Sequence, residues 1–237
     1  MNFKSTEKFH WIGKRRRQED SFYISADKLI ICDGIGGFKD GHLASEIAVN
    51  EFARINFDDA ESALNLRDSI SNSLEEISKK YDKIIDVQEN MGTTLVMLIQ
   101  YKFNLYSVHI GDSKLLHYSP SGNMKFATID HSLIQDLYQN GAIKNKDDLK
   151  THPLRNIITK SINRSRNEDV PEINEISNCM SGDIIILCSD GVLESVNETE
   201  IGEIIKNNPL SHIKKSIFSR VKEKSNDNST FIITLID

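Results

Sequence analysis

Acidic residues stand at the ends of several short apolar runs, where their side chains would meet if the runs are neighbouring strands. Each position taken alone is typical of a turn, because Asp-Gly commonly ends a strand. Five such positions in one chain instead favour a shared site. They are Glu19-Asp20 before Phe22, Asp33 after Leu29–Cys32, Asp112 after Val108–Ile110, Asp190 after Ile184–Cys188, and Asp227 before Phe231–Ile236.

Carboxylates that converge repel one another, and some of them take up protons unless a cation lies among them. The cluster therefore predicts a site for a hard divalent cation, Mg²⁺, Mn²⁺ or Ca²⁺, which prefers carboxylate, carbonyl and water oxygens. The three cysteines and seven histidines show no zinc-type spacing, so each histidine is expected at the surface or in a hydrogen bond. The alternative is a structural α+β domain in which all five acidic positions are only turns.

A glycine-rich loop runs from Asp33 to Gly41. A dinucleotide-binding loop would need a third glycine where Lys39 stands, and a P-loop would need Lys-Ser or Lys-Thr where His42-Leu43 stand. The sequence fits neither. Because glycine tolerates backbone dihedrals that other residues avoid, the loop is expected to let the backbone approach a metal closely.

Hydrophobic periodicity indicates the elements that position these residues. Short β-branched runs predict strands at Phe22–Ile24, Leu29–Cys32, Thr94–Ile99, Leu105–Ile110, Lys114–Tyr118, Ile184–Cys188 and Phe231–Ile236. Apolar residues every three or four positions predict helices at His42–Ile55 and Leu66–Ile85, and shorter ones at Ser132–Asn140, Glu198–Lys206 and Ser211–Lys224. Without regular βαβ alternation, this order indicates an α+β protein with largely antiparallel sheets.

The composition is that of an ordinary globular protein, with 38% apolar and 27% charged residues, which excludes the disordered and membrane-spanning classes. A net charge of -6 argues against a nucleic-acid partner. The absence of paired cysteine spacing and of an apolar N-terminal signal predicts a cytoplasmic protein without a membrane partner. No repeat or linker divides the chain, so residues 1–237 are predicted to form a single domain, monomeric by default.

Seven short motifs, in order along the chain, resemble a known family. They are Arg15-x-x-x-Glu19-Asp20, Asp33-Gly34-Ile35-Gly36-Gly37, Gly92-Thr93-Thr94, Gly111-Asp112-Ser113, Asp130-His131-Ser132, Cys188-Ser189-Asp190-Gly191 and Asp227-Asn228. The series is similar to the metal-dependent serine/threonine protein phosphatases, the type 2C or PPM family, in the compact bacterial form. Each motif is weak alone, whereas seven in register from about Arg15 to Ile236 make a specific match.

The resemblance implies two antiparallel β-sheets packed as a sandwich with helices on the outside. It also implies a centre of two or three Mn²⁺ or Mg²⁺ ions at one end of the sandwich. Asp33 would bridge two ions, and Gly34 would offer its backbone carbonyl to one of them. Asp190 and Asp227 would hold the other, and Asp112 would help to hold a third.

The same resemblance implies roles in the reaction. Glu19 and Asp20 would act through metal-bound water, and Arg15 would bind the substrate phosphate, for which the planar guanidinium fork is suited. The implied reaction is hydrolysis of phosphoserine and phosphothreonine by a metal-activated water, without a covalent phospho-enzyme. Cys32 is interpreted as a core residue and not as a nucleophile.

Four residues depart from the family pattern. Gln18 replaces a common Asn, Ile35 stands at the place of a histidine proposed as general acid in eukaryotic members, Phe38 replaces a His, and Lys114 replaces an Arg. These departures leave every predicted metal carboxylate in place. The stretch 141–167 is expected to hold the family's flap.

Two further functional alternatives remain open on the sequence. One is a catalytically weak or inactive pseudophosphatase that binds phosphoproteins, and the other is a phosphatase of small phosphate esters. For the favoured enzyme, the expected partners are phosphorylated proteins and a Ser/Thr kinase that acts on the same substrates.

Overall fold

The computed structural model describes residues 1–35, 40–56, 63–84, 91–145, 148–149, 152–164, 169–206 and 208–237. The strands are β1 (Phe3–Trp11), β2 (Asp20–Ile24), β3 (Lys28–Asp33), β4 (Gly92–Thr93), β5 (Leu95–Tyr101), β6 (Asn104–Ile110), β7 (Lys114–Tyr118), β8 (Met124–Ala127), β9 (Ile162–Asn163), β10 (Glu172–Glu175), β11 (Ile184–Cys188) and β12 (Ser229–Ile236). The helices are α1 (Gly41–Arg54), α2 (Ala63–Ile84), α3 (Leu133–Gln139), α4 (Asp190–Leu193), α5 (Glu198–Ile205) and α6 (Leu210–Lys224).

The strands form two five-stranded sheets with antiparallel pairing throughout. One sheet has the order β1-β12-β11-β7-β8, the other has the order β10-β6-β5-β3-β2, and β4 pairs separately with β9. A buried apolar cluster that includes Leu29 and Val96 from one sheet and Leu187 and Ile232 from the other fills the space between them. The predicted sandwich of two antiparallel sheets with helices outside is confirmed.

Two further apolar clusters attach the helices to the outer faces of the sheets. Helices α1 and α2 cover the sheet that contains β3, and α5 and α6 cover the sheet that contains β11. Alternate residues of a strand therefore face the sheet interface and a helix layer, as Ile31 and Cys32 do. Because both faces are buried, these strands appear in the sequence as continuous apolar runs.

The first strand, β1, was not predicted. It lies at the edge of its sheet and pairs with β12 alone. Only Phe9 of its nine residues is buried, so Lys, Glu and Thr side chains interrupt any apolar pattern. This edge strand places the following loop, which carries Arg15, beside the start of β12.

Some predicted features lie outside the described residues. These are residues 36–39 of the glycine-rich loop, including Phe38, and residues 146–147, 150–151 and 165–168 of the predicted flap. Among the described residues, no helix is both long and apolar enough to cross a membrane.

Candidate metal centre

Five carboxylates lie at one end of the sandwich, and they come from both sheets. Asp20 begins β2 and Asp33 ends β3, and the register of these strands pairs the two residues directly. From the other sheet, Asp190 follows β11 and Asp227 precedes β12. Asp112 follows β6 in the turn to β7. The strand ends thus bring together residues that are far apart in the sequence.

A pocket of about 240 Å³ opens at this end of the sandwich. Its lining contains these sequence-predicted residues: Arg15, Glu19, Asp33, Gly34, Asp112, Asp190 and Asp227. Ile35, Thr94, Asn156, Ile158 and Asn228 complete the lining. Asp20 does not line the pocket; it is 3% exposed and lies beside Asp33, its partner in the β2–β3 pair.

The electrostatics of the cluster fit a cation site. Burial, and then the charges of Asp20 and Asp190, raise the pKa of Asp33 well above its ordinary value. Burial and the neighbouring carboxylates likewise raise the pKa of Asp190 well above the ordinary range. Burial, and then Asp130, raise the pKa of Asp112 to about 7. A divalent cation among these oxygens would remove the mutual repulsion and favour the ionised carboxylates.

Asp20 is held by two hydroxyl groups from the opposite sheet. Its Oδ2 accepts hydrogen bonds from Ser189 Oγ at 2.8 Å and from Thr230 Oγ1 at 2.6 Å. Burial raises the pKa of Asp20 to about 6, although both hydroxyls lower it. The second oxygen, Oδ1, is buried and has no hydrogen-bond partner among the described residues. A cation or a water molecule bound beside Asp33 would supply the missing partner of this oxygen.

Hydrogen bonds to Thr93 and Thr94 on one side and to Glu19 on the other fix the backbone at Asp33 and Gly34. Asp33 N–H donates to Thr94 Oγ1 at 3.0 Å, and Thr93 Oγ1 donates to the Asp33 carbonyl at 2.8 Å. Gly34 N–H donates to the Glu19 carbonyl at 3.0 Å. A Cβ at residue 34 would lie 2.2 Å from the carbonyl oxygen of Gly41, so only glycine allows this approach of two backbone segments.

The loop that carries Arg15 is attached to the segment before β12 through Asn228, which is 4% exposed. The Asn228 side-chain amide donates to the carbonyls of Ile12 at 2.8 Å and of Arg17 at 3.2 Å. Its Oδ1 accepts from the N–H of Glu19 at 2.8 Å. One buried amide therefore holds both ends of the loop and the residue that precedes Asp20.

Arg15 itself forms an ion pair with Asp227 at the pocket. The hydrogen bond to Asp227 raises the pKa of Arg15, and the charges of Asp227 and Glu19 add to this effect, although burial opposes it. The guanidinium is about half exposed, with 52% of its side-chain surface accessible. A positive group with free donors next to clustered carboxylates suits an anionic ligand that is held by cations.

The turn that carries Asp112 is braced by His131. The His131 N–H donates to the Gly111 carbonyl at 2.8 Å, and the Gly111 N–H donates to His131 Nδ1 at 3.1 Å. Since Nδ1 accepts, the ring proton lies on Nε2, which donates to Glu172 at 3.1 Å. In this tautomer His131 has no lone pair left for a metal.

Lys114, which replaces the family's arginine, keeps a charged role beside Asp112. Its Nζ lies 3.3 Å from Asp130 and 2.8 Å from Glu198. Burial lowers the pKa of Lys114, but the two carboxylates more than offset this, so the pKa is raised. The ammonium group therefore stays charged and joins α5 to the turn after β8.

The described residues also contain two other groups of potential metal ligands, which sequence spacing did not indicate. They are His109, His131 and Glu172, and His117, Cys179 and Asp183. In the first group the tautomer of His131 argues against a metal. In the second, Asp183 Oδ2 already accepts from His117 at 2.8 Å and from Lys125 at 2.7 Å. The second group is therefore better explained as a buried hydrogen-bond network.

The role of Cys32 as a core residue agrees with its surroundings. The residue is fully buried among apolar side chains beneath α1. Burial, and then the charges of Asp33 and Asp20, raise the pKa of the Cys32 thiol well above its ordinary value. A thiol that does not ionise is a poor nucleophile.

The sequence interpretation assigned no role to several residues at the site. Ser189, Asn228 and Thr94 lie within quoted motifs, but their side-chain contacts had no sequence signal. Asn156 and Ile158 come from the described part of the predicted flap and line the pocket. An Asn beside an Ile in a loop carries no pattern by which this position could be predicted.

Comparisons with known proteins identify the family. Residues 10–228 match the family model of protein phosphatase 2C. The chain is 30% identical over 221 residues to the serine/threonine phosphatase stp of Listeria welshimeri, covering 86% of this chain and 83% of that protein. The chain belongs to the protein phosphatase 2C family.

Solved structures show the same fold. The serine/threonine phosphatase Stp1 from Staphylococcus aureus has a TM-score of 0.84 and 27% identity, with 99% of this chain and 95% of that chain covered. The catalytic domain of the serine threonine protein phosphatase PstP, in complex with 2 manganese ions, has a TM-score of 0.79 and 24% identity, with 98% of each chain covered. The predicted family and fold are confirmed.

Proposed function

We propose that this chain hydrolyses phosphoserine and phosphothreonine in proteins, with two or three Mn²⁺ or Mg²⁺ ions held by the carboxylate cluster. The observation that carries the proposal is the convergence of Asp33, Asp112, Asp190 and Asp227 at one pocket, next to Arg15, with Asp20 paired to Asp33 on the neighbouring strand. Membership in the protein phosphatase 2C family supports the reaction. The two manganese ions of the PstP structure support the choice of cation.

The proposed roles follow from the surroundings of each residue. Asp33, Asp190 and Asp227, with the carbonyl of Gly34, would hold two cations, and Asp112 would contribute to a third. When bound, such cations lower the pKa of water and so supply the nucleophile for attack on phosphorus. Cation ligands with raised pKa values lose their protons when the cation binds, so affinity should increase with pH.

The remaining residues act on substrate and water. Arg15 would donate parallel N–H groups to two phosphate oxygens and fix the direction of the phosphoryl group. Glu19 and Asp20 would orient water next to the cations. The hydroxyls of Ser189 and Thr230 keep the Asp20 carboxylate in one orientation. Asn156 and Ile158 would contact the substrate from the flap side of the pocket.

The cellular setting is part of the proposal. We infer a cytoplasmic protein, with residues 1–237 as one monomeric catalytic domain, that acts on proteins phosphorylated by a cognate Ser/Thr kinase. The free, buried thiols of Cys32, Cys179 and Cys188 support a reducing compartment.

The test is hydrolysis of para-nitrophenyl phosphate and of a phosphothreonine peptide, each with Mn²⁺, with Mg²⁺ and with chelator. We expect metal-dependent turnover, and a loss of more than about a hundredfold in Asp190→Asn. Asp27→Asn is the matched control, because Asp27 lies at the opposite end of the β2–β3 pair and is 45% exposed. Calorimetric titration with Mn²⁺ should show a matching loss of affinity in Asp190→Asn alone.

Two results would contradict the proposal. Binding of Mn²⁺ and phosphopeptide by a folded protein without turnover would favour the pseudophosphatase, which no comparison supports at present. Turnover of a panel of phosphorylated metabolites with kcat/KM well above that for phosphopeptides would favour a phosphatase of small esters.

A further inference from the structure

The basic run Lys14 to Arg17 carries more positive charge than a single phosphate requires. Arg15 lines the pocket and pairs with Asp227. Arg17 is turned to the start of α1, where its Nη1 lies 3.0 Å from His42 Nδ1. Lys14 and Arg16 are exposed, and neither forms an ion pair within the described part of the chain. Two cationic side chains adjacent to Arg15 in the chain are thus left without an acidic partner among the described residues.

The backbone beneath these two side chains is fixed in place. Besides the two carbonyls held by Asn228, the Lys14 N–H donates to the Asn226 carbonyl at 3.1 Å. Gly13 has a φ of +67°, and a Cβ there would lie 2.2 Å from the Asp227 carbonyl oxygen. The loop therefore rests directly on the segment before β12, so that Lys14 and Arg16 start from defined positions on either side of Arg15.

A peptide bound with its phosphate at Arg15 would bring its neighbouring residues within reach of Lys14 and Arg16. The Cα atoms of Lys14 and Arg16 each lie about 3.8 Å from that of Arg15. A substrate chain with its phosphorylated residue at Arg15 advances roughly 3.3 Å per residue if extended. Its next two or three residues on either side then pass within reach of a Lys or Arg side chain. The protein as a whole has a net charge of -6, so this loop is a local exception that suits an anion.

We propose that Lys14 and Arg16 select phosphoproteins that carry a second anionic group close in sequence to the phosphate that is removed. The group is an Asp or Glu side chain or another phosphate, and both present acceptor oxygens to a cation. The inference rests on the proposed phosphatase function and adds the substrate class. Exposed ion pairs are individually weak, so we expect a preference of about threefold to tenfold in kcat/KM, decreasing as salt is added.

The test uses three phosphothreonine peptides of equal length. One has Glu flanking residues, one has Gln at the same positions, and one has Gln with a second phosphoserine. The variant Lys14→Gln/Arg16→Gln is compared with Arg67→Gln/Lys215→Gln, which removes the same charge from exposed positions on α2 and α6. The measured quantity is the ratio of kcat/KM between an anionic peptide and the Gln peptide, which cancels changes in active fraction.

We expect a ratio above about three in the wild type and in the control variant at low salt, falling to near one in Lys14→Gln/Arg16→Gln. A preference for the doubly phosphorylated peptide alone would identify phosphate as the selected group, and a preference for both would identify any anion. A wild-type ratio near one, or an unchanged ratio in Lys14→Gln/Arg16→Gln, would overturn the inference. Metal-dependent turnover of para-nitrophenyl phosphate by the wild type separates that outcome from failure of the phosphatase function itself.

Discussion

Arg15 and Asp227, 212 positions apart in the sequence, form an ion pair across the pocket between Nη2 and Oδ2. The pair connects the loop after β1 to the segment before β12. It joins the proposed phosphate-binding residue to a proposed cation ligand, so each side chain helps to orient the other. A substitution that keeps the charge but loses the planar fork should therefore affect phosphate binding in a specific way.

For Arg15→Lys we expect KM for a phosphopeptide to rise about tenfold, which corresponds to ~1.4 kcal/mol, with a smaller change in kcat. The inhibition constant of inorganic phosphate should rise by a similar factor, because Lys binds as a point charge. Arg17→Lys is the control, since Arg17 contacts His42 and not the pocket. Equal effects of the two substitutions would contradict the assignment of Arg15.

Asn228→Ala should release the Arg15 loop. The change removes three hydrogen bonds and leaves the Glu19 N–H without its acceptor, at a cost of about 1–3 kcal/mol in the free energy of unfolding. We expect the inhibition constant of phosphate to rise as well, because Arg15 loses its fixed backbone. Asn226→Ala, at an exposed position two residues earlier, serves as control. A loss of stability with unchanged phosphate inhibition would show that Asn228 is only structural.

Thr230→Val tests the support of Asp20. The Thr230 hydroxyl stabilises the Asp20 carboxylate and lowers its pKa, so its removal should raise that pKa further. The acid limb of the pH–rate profile should move to higher pH. Thr234→Val is the matched control on the same strand, because its hydroxyl bonds to Ser5 and Thr6 at the far end of β12. An identical acid limb in Thr230→Val and the wild type would count against a role for Asp20 in turnover.

Removal of metal should make stability depend on pH in a defined direction. The folded-state pKa values of Asp20 and Asp112 are raised from 3.8 to about 6 and about 7. Without metal, their contribution to stability is fully present below pH 3.8 and is lost as pH rises through about 7. Cations favour the ionised carboxylates, so stabilisation by Mn²⁺ should increase over the same interval.

Thermal unfolding at pH 5, 6, 7 and 8, with Mn²⁺ and with chelator, measures this effect as a difference in Tm. At a hundredfold excess over Kd the stabilisation should reach about 2.7 kcal/mol. The difference in Tm cancels the contribution of carboxylates such as Asp183. The lowered pKa of Asp183 changes stability with pH in the opposite direction, and it does so equally with Mn²⁺ and with chelator. A Tm increment that is the same at every pH would argue against cation binding by the buried aspartates.

Much of the fold was predictable from sequence because its central strands are buried on both faces. Runs such as Ile184–Cys188 and Lys114–Tyr118 have the predicted bounds. Elements with one exposed face, such as β1, or with few residues, such as β4 and β9, have no continuous apolar signal and were missed. The strand pattern thus reports burial, and short or mostly exposed strands give no such signal.

The candidate site, too, was predictable from the sequence only in part. Aspartates at strand ends are visible in the sequence because the strand before or after each one is visible. Their supports are not, since Ser189 and Thr230 reach Asp20 across 169 and 210 positions. Such contacts depend on how the two sheets are aligned, and no local pattern encodes that alignment.

The contribution of carboxylates from both sheets has a consequence for the lifetime of the folded state. Asp33 belongs to one sheet, and Asp190 and Asp227 adjoin the other, so the proposed cations would act as a removable cross-link over the end of the sandwich. With the ions bound, the sheets would not separate at that end until the ions leave. Metal supply would then govern how slowly the protein unfolds as well as how fast it works.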